Sequence, residues 1–421
     1  MNIPFKIAFN TSAQLLGKAA TTISTIIVTV LITKNFSVGD YGAYVAILSY
    51  ITLFYVFTDF GLNAIFVREV GNDEEKQKEF FKNLLGFRLV ISIFVAFCAV
   101  GVLAFTAHPT LIKLGIIVAL GLIIAQSFTA TALALFQAKI RYDLALIADI
   151  FWAVANLVFV YIAATGFGSI LFVIIALVAG GSVRVLVALY LARFQLAALS
   201  VSFDTKVWRE MFFAALPIGL IIVFSQFNAQ IDKQIVLLAN YKPGLGLSGE
   251  TAIGFYGLAY KIFELAIVLP AFVMNVGYPI MVQKSSLGVR YLIDFSKRLG
   301  FSLLGLGILG VIIGWSLTPF MIDVLGQGKF PEGVLTTRIL LLGFPVFFVT
   351  PLTLWLAIIL KKTREMLFIY GFAAAFNLVA NLVAVPQFGY NAAAIVTIIS
   401  EILIFTLSGA VLYIHLRFGK E

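Results

Sequence analysis

Apolar residues in this chain gather into long runs, and short polar stretches separate the runs. About 20 apolar residues are needed to cross the hydrocarbon core of a membrane, and a window of that length finds twelve such runs. They cover residues 8–33, 41–67, 84–106, 111–136, 144–165, 170–192, 211–239, 252–282, 300–325, 338–360, 366–385 and 391–416. The pattern predicts an all-α polytopic membrane protein with about twelve transmembrane helices.

The composition agrees with that prediction. Of the 421 residues, 62% are hydrophobic and 12% are charged, whereas an ordinary soluble domain has about 45–50% and 25%. Because so few charges cannot cover the surface of a water-soluble fold of this size, the bilayer must be the main solvent. Large soluble domains are excluded as well, since the runs leave only short loops between them.

Lysine and arginine are unevenly divided between the two sets of alternate loops. The set that includes both termini, with Lys6 and Lys420, holds 19 of them, and the other set holds five. Those five are Lys34, Lys113, Lys242, Lys329 and Arg338. Because cytoplasmic loops carry the excess of Lys and Arg, we expect both termini on the cytoplasmic side of a bacterial or archaeal cytoplasmic membrane. The net charge of +9 then reflects these loops, and nucleic acid is not an expected partner.

Two pairs of segments repeat at nearly the same distance along the chain. Asp40-Tyr41-Gly42-Ala43-Tyr44 opens the second span and matches Phe255-Tyr256-Gly257-Leu258-Ala259-Tyr260 in the eighth, 215 residues later. Asn156 and the turn that follows it match Asn377 and its turn, 221 residues later. The near-equal offsets indicate a duplication, although Gly and Tyr are also common at membrane interfaces by themselves. Copies with six spans each would be related by an axis along the membrane normal.

The duplication predicts a domain organisation. Helices 1–6 form an N-lobe at 1–192, a cytoplasmic linker covers 193–210, and helices 7–12 form a C-lobe at 211–421. We expect the two six-helix lobes to surround a central cavity. The linker is expected to be partly an amphipathic helix on the cytoplasmic face.

No motif for covalent chemistry stands out. The sequence has no Gly-x-x-x-x-Gly-Lys-Ser/Thr loop for ATP and no His-Glu-x-x-His motif for a metal. Its one cysteine, Cys98, excludes a disulfide within the chain, and its two histidines, His108 and His415, are far apart. We therefore predict no cofactor, no metal site and no enzyme activity, and membrane transport is the favoured class of function.

The first span carries polar residues at steps of three and four, which place them on one helical face. They are Thr11, Gln14, Lys18, Thr21, Thr22, Thr25 and Thr29. A lysine at the bilayer centre costs about 2.5–3.5 kcal/mol on insertion scales, so Lys18 predicts a hydrated cavity, an acidic partner or an anionic ligand. The alternative is that the Lys18 side chain extends to the cytoplasmic interface.

The seventh span has a proline, Pro217, and a dense polar segment in its outer half. That segment contains Ser225, Gln226, Asn228, Gln230, Asp232, Lys233 and Gln234. These residues form a broad polar face that either lines a cavity or holds helices together. In the eighth span, Lys261 and Glu264 are within reach of each other at i, i+3, so mutual neutralisation is the alternative to a binding role there.

The predicted spans contain five basic and five acidic residues. The basic residues are Lys18, Arg88, Arg184, Lys233 and Lys261, and the acidic ones are Asp59, Asp149, Asp232, Glu264 and Glu401. Arg88 and Arg184 lie toward the cytoplasmic side, where an arginine readily reaches the interface, and Arg184 is the better cavity candidate. A positive cavity requires the acids to lie elsewhere, as Asp59 and Asp149 are expected to do at span ends. Glu401, midway along the twelfth span, is the best candidate for proton or cation coupling.

Several motifs together resemble the polysaccharide transport proteins, which include the O-antigen and capsule flippases. The first set is Leu31-Ile32-Thr33-Lys34-Asn35-Phe36, Asp40-Tyr41-Gly42-Ala43-Tyr44, Thr58-Asp59-Phe60-Gly61-Leu62 and Arg68-Glu69. The second set is Leu216-Pro217-Ile218-Gly219, Ile231-Asp232-Lys233, Gly254-Phe255-Tyr256-Gly257, Lys261-Ile262, Asn377 and 386–394. The resemblance spans nearly the whole chain. It implies a two-lobed carrier of the multidrug/oligosaccharidyl-lipid/polysaccharide exporter superfamily.

The resemblance also implies a function. Such a carrier flips oligosaccharide repeat units linked to a polyprenyl diphosphate across the cytoplasmic membrane by alternating access. The implied phosphate contacts are Lys18, Arg184, Lys233 and Lys261, assisted by Gln14 and Gln226. The implied sugar contacts are Tyr44, Tyr256 and Tyr260, and the candidates for ion coupling are Glu401 and Asp232. A polysaccharide polymerase and other assembly proteins are the implied protein partners, beside the lipid-linked oligosaccharide and the membrane.

Two other functions compete with this interpretation. A multidrug/cation antiporter has the same fold, but a carboxylate is expected in its first span, where this sequence has Lys18 and threonines. A membrane glycosyl polymerase or ligase belongs to a different class and is expected to need a long outward loop, whereas the longest one here covers only about 239–252. A peptidoglycan-precursor flippase usually has fourteen spans, so twelve argue mildly against it.

Overall fold

The computed structural model describes residues 3–71, 73–196 and 200–418. Within these ranges the side chains of residues 3–9, 11 and 418 are not described, among them those of Lys6 of the charge count and Thr11 of the polar face, and Lys420 lies outside the described residues. Within the described ranges the chain forms helices and no strand. The helices are α1 (Ile3–Asn35), α2 (Val38–Asp59), α3 (Leu62–Val70), α4 (Glu74–Ala104), α5 (Thr110–Ala138), α6 (Tyr142–Gly166), α7 (Ile170–Leu196), α8 (Thr205–Leu238), α9 (Gly249–Ala266), α10 (Val268–Leu287), α11 (Val289–Gly326), α12 (Gly333–Leu342), α13 (Phe344–Ile359), α14 (Thr363–Phe388) and α15 (Tyr390–Phe418).

The predicted number of spans is confirmed. Eleven helical segments of the described chain are long and apolar enough to cross a membrane, and a twelfth is the pair α12 and α13, which meet at a bend of 46°. Two of the eleven are also interrupted, since α2 and α3 together cover Val38–Val70 and α9 and α10 cover Gly249–Leu287. These interruptions fall in the second span of each predicted six-span half, in keeping with the proposed duplication.

The chain divides into two compact units, Met1–Gln226 and Phe227–Glu421. In the first unit, α1 packs along α6, α6 packs along α7, and α5 packs against α7, α2, α4 and α3. Its core includes Phe66, Phe81 and Phe136, which are all fully buried. The division falls within α8, later in the chain than the predicted linker, and the predicted lobe boundaries stay a prediction.

The interruption of the second span is a left-handed turn of two residues. Phe60 has a φ of 40° and Gly61 a φ of 72°, and L side chains favour neither value. Gly219 of α8 packs against this turn so closely that a Cβ there would lie 2.7 Å from the Phe60 carbonyl oxygen. The Phe60 ring stacks on Phe212 of α8, with the ring centroids 5.3 Å apart. The turn is therefore enclosed by α8 on one side.

The stretch before α8 is attached to the start of α4 by hydrogen bonds. The Ser202 N–H donates to the Lys82 carbonyl at 3.0 Å, and the Asp204 N–H donates to Asn83 Oδ1 at 3.2 Å. The Trp208 indole N–H donates to the Asn83 carbonyl at 3.0 Å. Residues 200–204 are not helical, and the helix that begins at Thr205 continues into the seventh span.

Replacing Gly86 on α4 tests this attachment. A Cβ at Gly86 would lie 2.0 Å from the Ser202 carbonyl oxygen, so we expect Gly86→Ala to lower the free energy of unfolding by about 1–3 kcal/mol through overpacking. Thermal unfolding of the purified protein measures the loss. Gly101→Ala on the same helix is the matched control, because nothing lies within 4 Å of its Cβ position. Equal losses in the two variants would contradict the packing argument.

In the second unit, α14 packs along α15, α11 packs against α13, and α9 packs against α12. The segment between α8 and α9 contains a single 3-10 turn at Pro243–Leu245. The Lys242 N–H of this segment donates to the Pro386 carbonyl at 3.1 Å, and the Tyr241 hydroxyl donates to the Val236 carbonyl at 2.6 Å. Burial raises the pKa of the Tyr241 hydroxyl above its usual value. This segment is thus short and held against the helices.

Candidate functional site

Two lysines of the second unit share one glutamate within the membrane-spanning helices. Lys233 Nζ of α8 lies 3.2 Å from Glu264 Oε1 of α9, and Lys261 Nζ lies 3.4 Å from Glu264 Oε2. The Lys233 ammonium also donates to Gln230 Oε1 at 2.8 Å and lies 3.7 Å from the centroid of the Tyr260 ring. The Lys233 side chain is 5% exposed, while those of Lys261 and Glu264 are 27% and 33% exposed. We call these three charged residues the lysine cluster.

The predicted pairing of Lys261 with Glu264 is confirmed, but it is only half of the arrangement. The i, i+3 spacing brings those two side chains together on one face of α9. Lys233 reaches the same carboxylate from α8, and this contact joins residues 31 positions apart. The lysine cluster by itself has two ammonium groups and one carboxylate, and the Asp232 carboxylate lies within electrostatic range of Lys233.

Asp232, next to Lys233 in the chain, accepts hydrogen bonds from neutral donors. Its carboxylate is fully buried, and it accepts from the Lys233 backbone N–H at 2.7 Å. The Tyr256 hydroxyl donates to the other carboxylate oxygen. The Thr397 hydroxyl donates to the same oxygen at 3.2 Å. A carboxylate that accepts several hydrogen bonds is held in one orientation. Asp232 thereby connects α8, α9 and α15.

A second polar group continues along α14 and α15. The Asn377 side-chain amide donates to Ser400 Oγ at 3.1 Å, and the Asn381 amide donates to Asn377 Oδ1 at 3.0 Å. Ser400 lies one helical turn after Thr397 and just before Glu401. The Glu401 side chain is buried, and the hydroxyl of Thr350 of α13 donates to the Val346 carbonyl at 3.0 Å. The two candidates for ion coupling, Asp232 and Glu401, therefore both lie inside the second unit.

The three tyrosines assigned to sugar contacts are all buried. Tyr256 and Tyr260 are 0% and 3% exposed, and their ring centroids lie 5.6 Å apart. Tyr44 in the first unit is 6% exposed and its ring lies 5.8 Å from that of Tyr41. In this conformation the rings contact protein, and a direct role in sugar binding stays a prediction. Gln226 is partly exposed at the end of the first unit.

Arg184 in the first unit is held by Asp149. Arg184 Nε of α7 donates to Asp149 Oδ1 of α6 at 3.0 Å, and the Arg184 Nη2 group donates to the same oxygen. The guanidinium also lies 5.5 Å from the ring centroid of Trp152. Arg184 is 26% exposed and Asp149 is 16% exposed.

Arg88 of α4 does not extend to the interface, and that expectation was wrong. Its side chain is fully buried and pairs with Asp59 at 2.9 Å. The guanidinium also donates to Asn63 Oδ1 at 2.9 Å, to Thr131 Oγ1 at 3.0 Å and to the Ser127 carbonyl at 3.2 Å. The buried arginine stays inside because these acceptors replace the water that its charge requires.

The acidic residues of the first unit do not lie apart from its arginines. Sequence reasoning placed Asp59 and Asp149 at span ends, away from the basic side chains. Instead Asp59 pairs with Arg88 and Asp149 pairs with Arg184. The positive charge of each arginine is therefore compensated within the first unit.

Lys18 differs from the other basic residues of the spans. Its side chain is exposed, and within the described residues it forms no ion pair. Gln14, one turn earlier on α1, is partly buried. The hydroxyls of Thr21, Thr25 and Thr29 all donate to backbone carbonyls of α1. These three hydroxyls therefore find acceptors within their own helix.

Sequence reasoning missed several partners of the charged groups. Asn63, Thr131 and Ser127 bind Arg88, and Thr397 and Tyr256 bind Asp232. The sequence marked these residues only as polar positions inside apolar runs. The spacing of residues along one chain does not show which residues of different helices lie next to each other. Among the described residues, no group of three His, Cys, Asp or Glu side chains is placed to hold a metal ion.

Solved membrane transporters have the same fold as this chain. An inward-facing multidrug resistance MATE family transporter of the MOP superfamily superposes with a TM-score of 0.72 at 15% identity, over 97% of this chain and 96% of that one. The lipid II flippase MurJ in an inward closed conformation gives a TM-score of 0.75 at 15% identity, over 95% and 87%. A MOP superfamily transporter from Pyrococcus furiosus gives 0.66 at 14% identity, over 97% and 96%. At such low identity the likeness is one of fold.

The sequence itself matches a protein family. No curated protein matches it, but the family model described as polysaccharide biosynthesis protein matches residues 7–285. That range is well over half of the chain, and it contains Lys18, Arg184, Lys233, Lys261 and Glu264. This chain, whose described residues contain eleven or twelve helical segments able to cross a membrane, belongs to the polysaccharide biosynthesis protein family.

Proposed function

We propose that this protein is a flippase that carries oligosaccharide repeat units, linked to a polyprenyl diphosphate, across the cytoplasmic membrane by alternating access. The observation that carries the proposal is the lysine cluster, in which Lys233 and Lys261 share Glu264. A diphosphate is doubly suited to such a site, since it is anionic and its oxygens accept charge-assisted hydrogen bonds. Family membership supports a role in polysaccharide assembly.

The chemistry of the substrate sets the problem that these residues solve. A diphosphate cannot enter hydrocarbon without its hydration, and fixed cations replace that hydration while the lipid tail stays in the bilayer. Glu264 then competes with the diphosphate for the two ammonium groups. Because the carboxylate pairs again with both lysines once the phosphate leaves, the site is never left as an uncompensated pair of buried cations.

Arg184 is proposed to work by the same exchange in the first unit. Its guanidinium is partly exposed and held by Asp149, so an arriving phosphate would displace one carboxylate bond and form a new one in its place. Lys18, which is exposed on α1, is proposed as a first point of contact. Gln14 and Gln226 supply neutral donors, and Tyr44, Tyr256 and Tyr260 are proposed to meet the sugars in a conformation that exposes them.

Ion coupling is assigned to Glu401 and Asp232. Both carboxylates are buried in helices of the second unit, and two hydroxyl groups donate to that of Asp232. A buried carboxylate is costly to keep charged, so its occupation by a proton or a cation can favour one conformation over another. We further propose cytoplasmic termini, two lobes at 1–192 and 211–421 around a central cavity, and a polysaccharide polymerase and other assembly proteins as partners.

Genetic complementation tests the proposal. The gene is expressed in a panel of strains that lack their own repeat-unit flippase and differ in the sugar of that unit. We expect surface polysaccharide to return in at least one strain, and Lys18→Ala and Arg184→Ala to abolish it at equal membrane abundance. Lys297→Ala is the control, since this exposed lysine of α11 lies outside the proposed site. Drug resistance without polysaccharide in any strain would contradict the flippase and favour the antiporter.

A further inference from the structure

The second span is held together at its interruption by side chains and not by helical hydrogen bonds. Asp59 is the last residue of α2, Leu62 is the first of α3, and Phe60 and Gly61 between them are left-handed. A helix of nine residues such as α3 is marginal by itself. The angle between α2 and α3 therefore depends on the side chains that bond to the residues on either side of the turn.

Arg88 forms hydrogen bonds to residues on both sides of the turn. Its Nη2 group donates to Asp59 on α2 and to Asn63 on α3, each at 2.9 Å. Its Nη1 group donates to Ser127 and Thr131 on α5. Because the guanidinium is planar and its donors are fixed relative to one another, one side chain sets the positions of three helices.

The cost of placing Arg88 there indicates a specific role. The residue is 0% exposed inside a membrane-spanning unit, and among the described residues its Nε atom has no hydrogen-bond partner. An apolar side chain would fill this space without an ion to compensate. Gly219 of α8 also packs closely against the turn, since a Cβ there would meet the Phe60 carbonyl oxygen at 2.7 Å.

We propose that Arg88 is a positioning residue that locks α2 and α3 in one geometry, so that the interrupted second span moves as a single piece during transport. The role in transport rests on the proposed flippase function, whereas the locking itself does not. Asn63 is the informative position. Its loss removes the bond to α3 but leaves the charge pair of Arg88 and Asp59 in place, so the variant should fold.

Distances between spin labels test the locking directly. Labels are attached to cysteines at Val45 on α2 and Arg68 on α3 after Cys98, the only cysteine of the chain, is replaced by serine. The distance distribution is recorded by pulsed electron paramagnetic resonance on the substrate-free protein in nanodiscs. We expect one narrow peak in the parent, and Asn63→Ala and Arg88→Lys to widen it at least twofold. Asn35→Ala at the end of α1, where the amide bonds only the Leu31 carbonyl, should leave it unchanged.

If the distance distribution of Asn63→Ala is as narrow as that of the parent, the proposal is overturned. The consequence for transport is measured separately in a strain that the parent complements. There, Asn63→Ala should reduce surface polysaccharide about tenfold at equal abundance, and Asn35→Ala should not. If the parent complements no strain, the flippase function fails while the label distances still decide the locking. A widened peak with unchanged polysaccharide would overturn the role in transport.

Discussion

Arg88→Ala is expected to lower the free energy of unfolding by about 3–5 kcal/mol, because it empties a fully buried site and leaves Asp59 without its cation. Asp59, Asn63 and Thr131 would all lose a charged donor at once. The measurement is thermal or denaturant unfolding of the purified protein in detergent micelles, followed by the fluorescence of its tryptophans. The loss should exceed that caused by Gly86→Ala.

A double variant at this site tests the role of charge, and a variant of a second ion pair tests the role of burial. Arg88→Met combined with Asp59→Asn removes both charges, and we expect it to recover about 1–4 kcal/mol of the loss. Arg184→Ala should cost only about 1 kcal/mol, because the Arg184 side chain is 26% exposed, whereas that of Arg88 is fully buried, and solvent compensates part of the loss at Arg184. If Arg88→Ala and Arg184→Ala unfolded alike, the argument from burial would be wrong.

Lys233→Ala is expected to reduce the rate of substrate flipping at least tenfold, which corresponds to about 1.4 kcal/mol of lost stabilisation. Without Lys233 the lysine cluster becomes a neutral pair of Lys261 and Glu264, and no surplus cation is left for the diphosphate. The rate is measured in proteoliposomes with a fluorescent polyprenyl-diphosphate sugar and a reagent that modifies only the outer leaflet.

The charge itself is tested by two companion variants. Lys233→Arg keeps the cation and should retain more activity than Lys233→Ala. Lys297→Ala removes an exposed lysine from α11 and should leave the rate unchanged. Flipping by Lys233→Ala at the rate of the parent, with equal amounts of folded protein in the vesicles, would rule out the proposed role of the lysine cluster.

The membrane architecture followed from the sequence because it depends on local properties. Transfer of about 20 apolar residues into hydrocarbon is favourable wherever they stand in a chain, so the twelve runs could be located without any tertiary contact. The i, i+3 contact of Lys261 and Glu264 was predictable for the same reason, since one helix fixes both side chains. The interruptions at Phe60, Ile267 and Gly343 were not predicted, because the runs stay apolar through them.

The partners of the buried charges were decided only by tertiary structure. Asp59 meets Arg88 across 29 residues, Asp149 meets Arg184 across 35, and Thr397 meets Asp232 across 165. Hydropathy reports how each helix interacts with lipid, but not which faces of two helices meet. By itself the sequence determined a twelve-span, all-helical membrane protein and the identity of its unusual charges. Helix packing decided which of these charges are compensated, because an ion pair depends on distances of a few ångströms that only the assembled helices define.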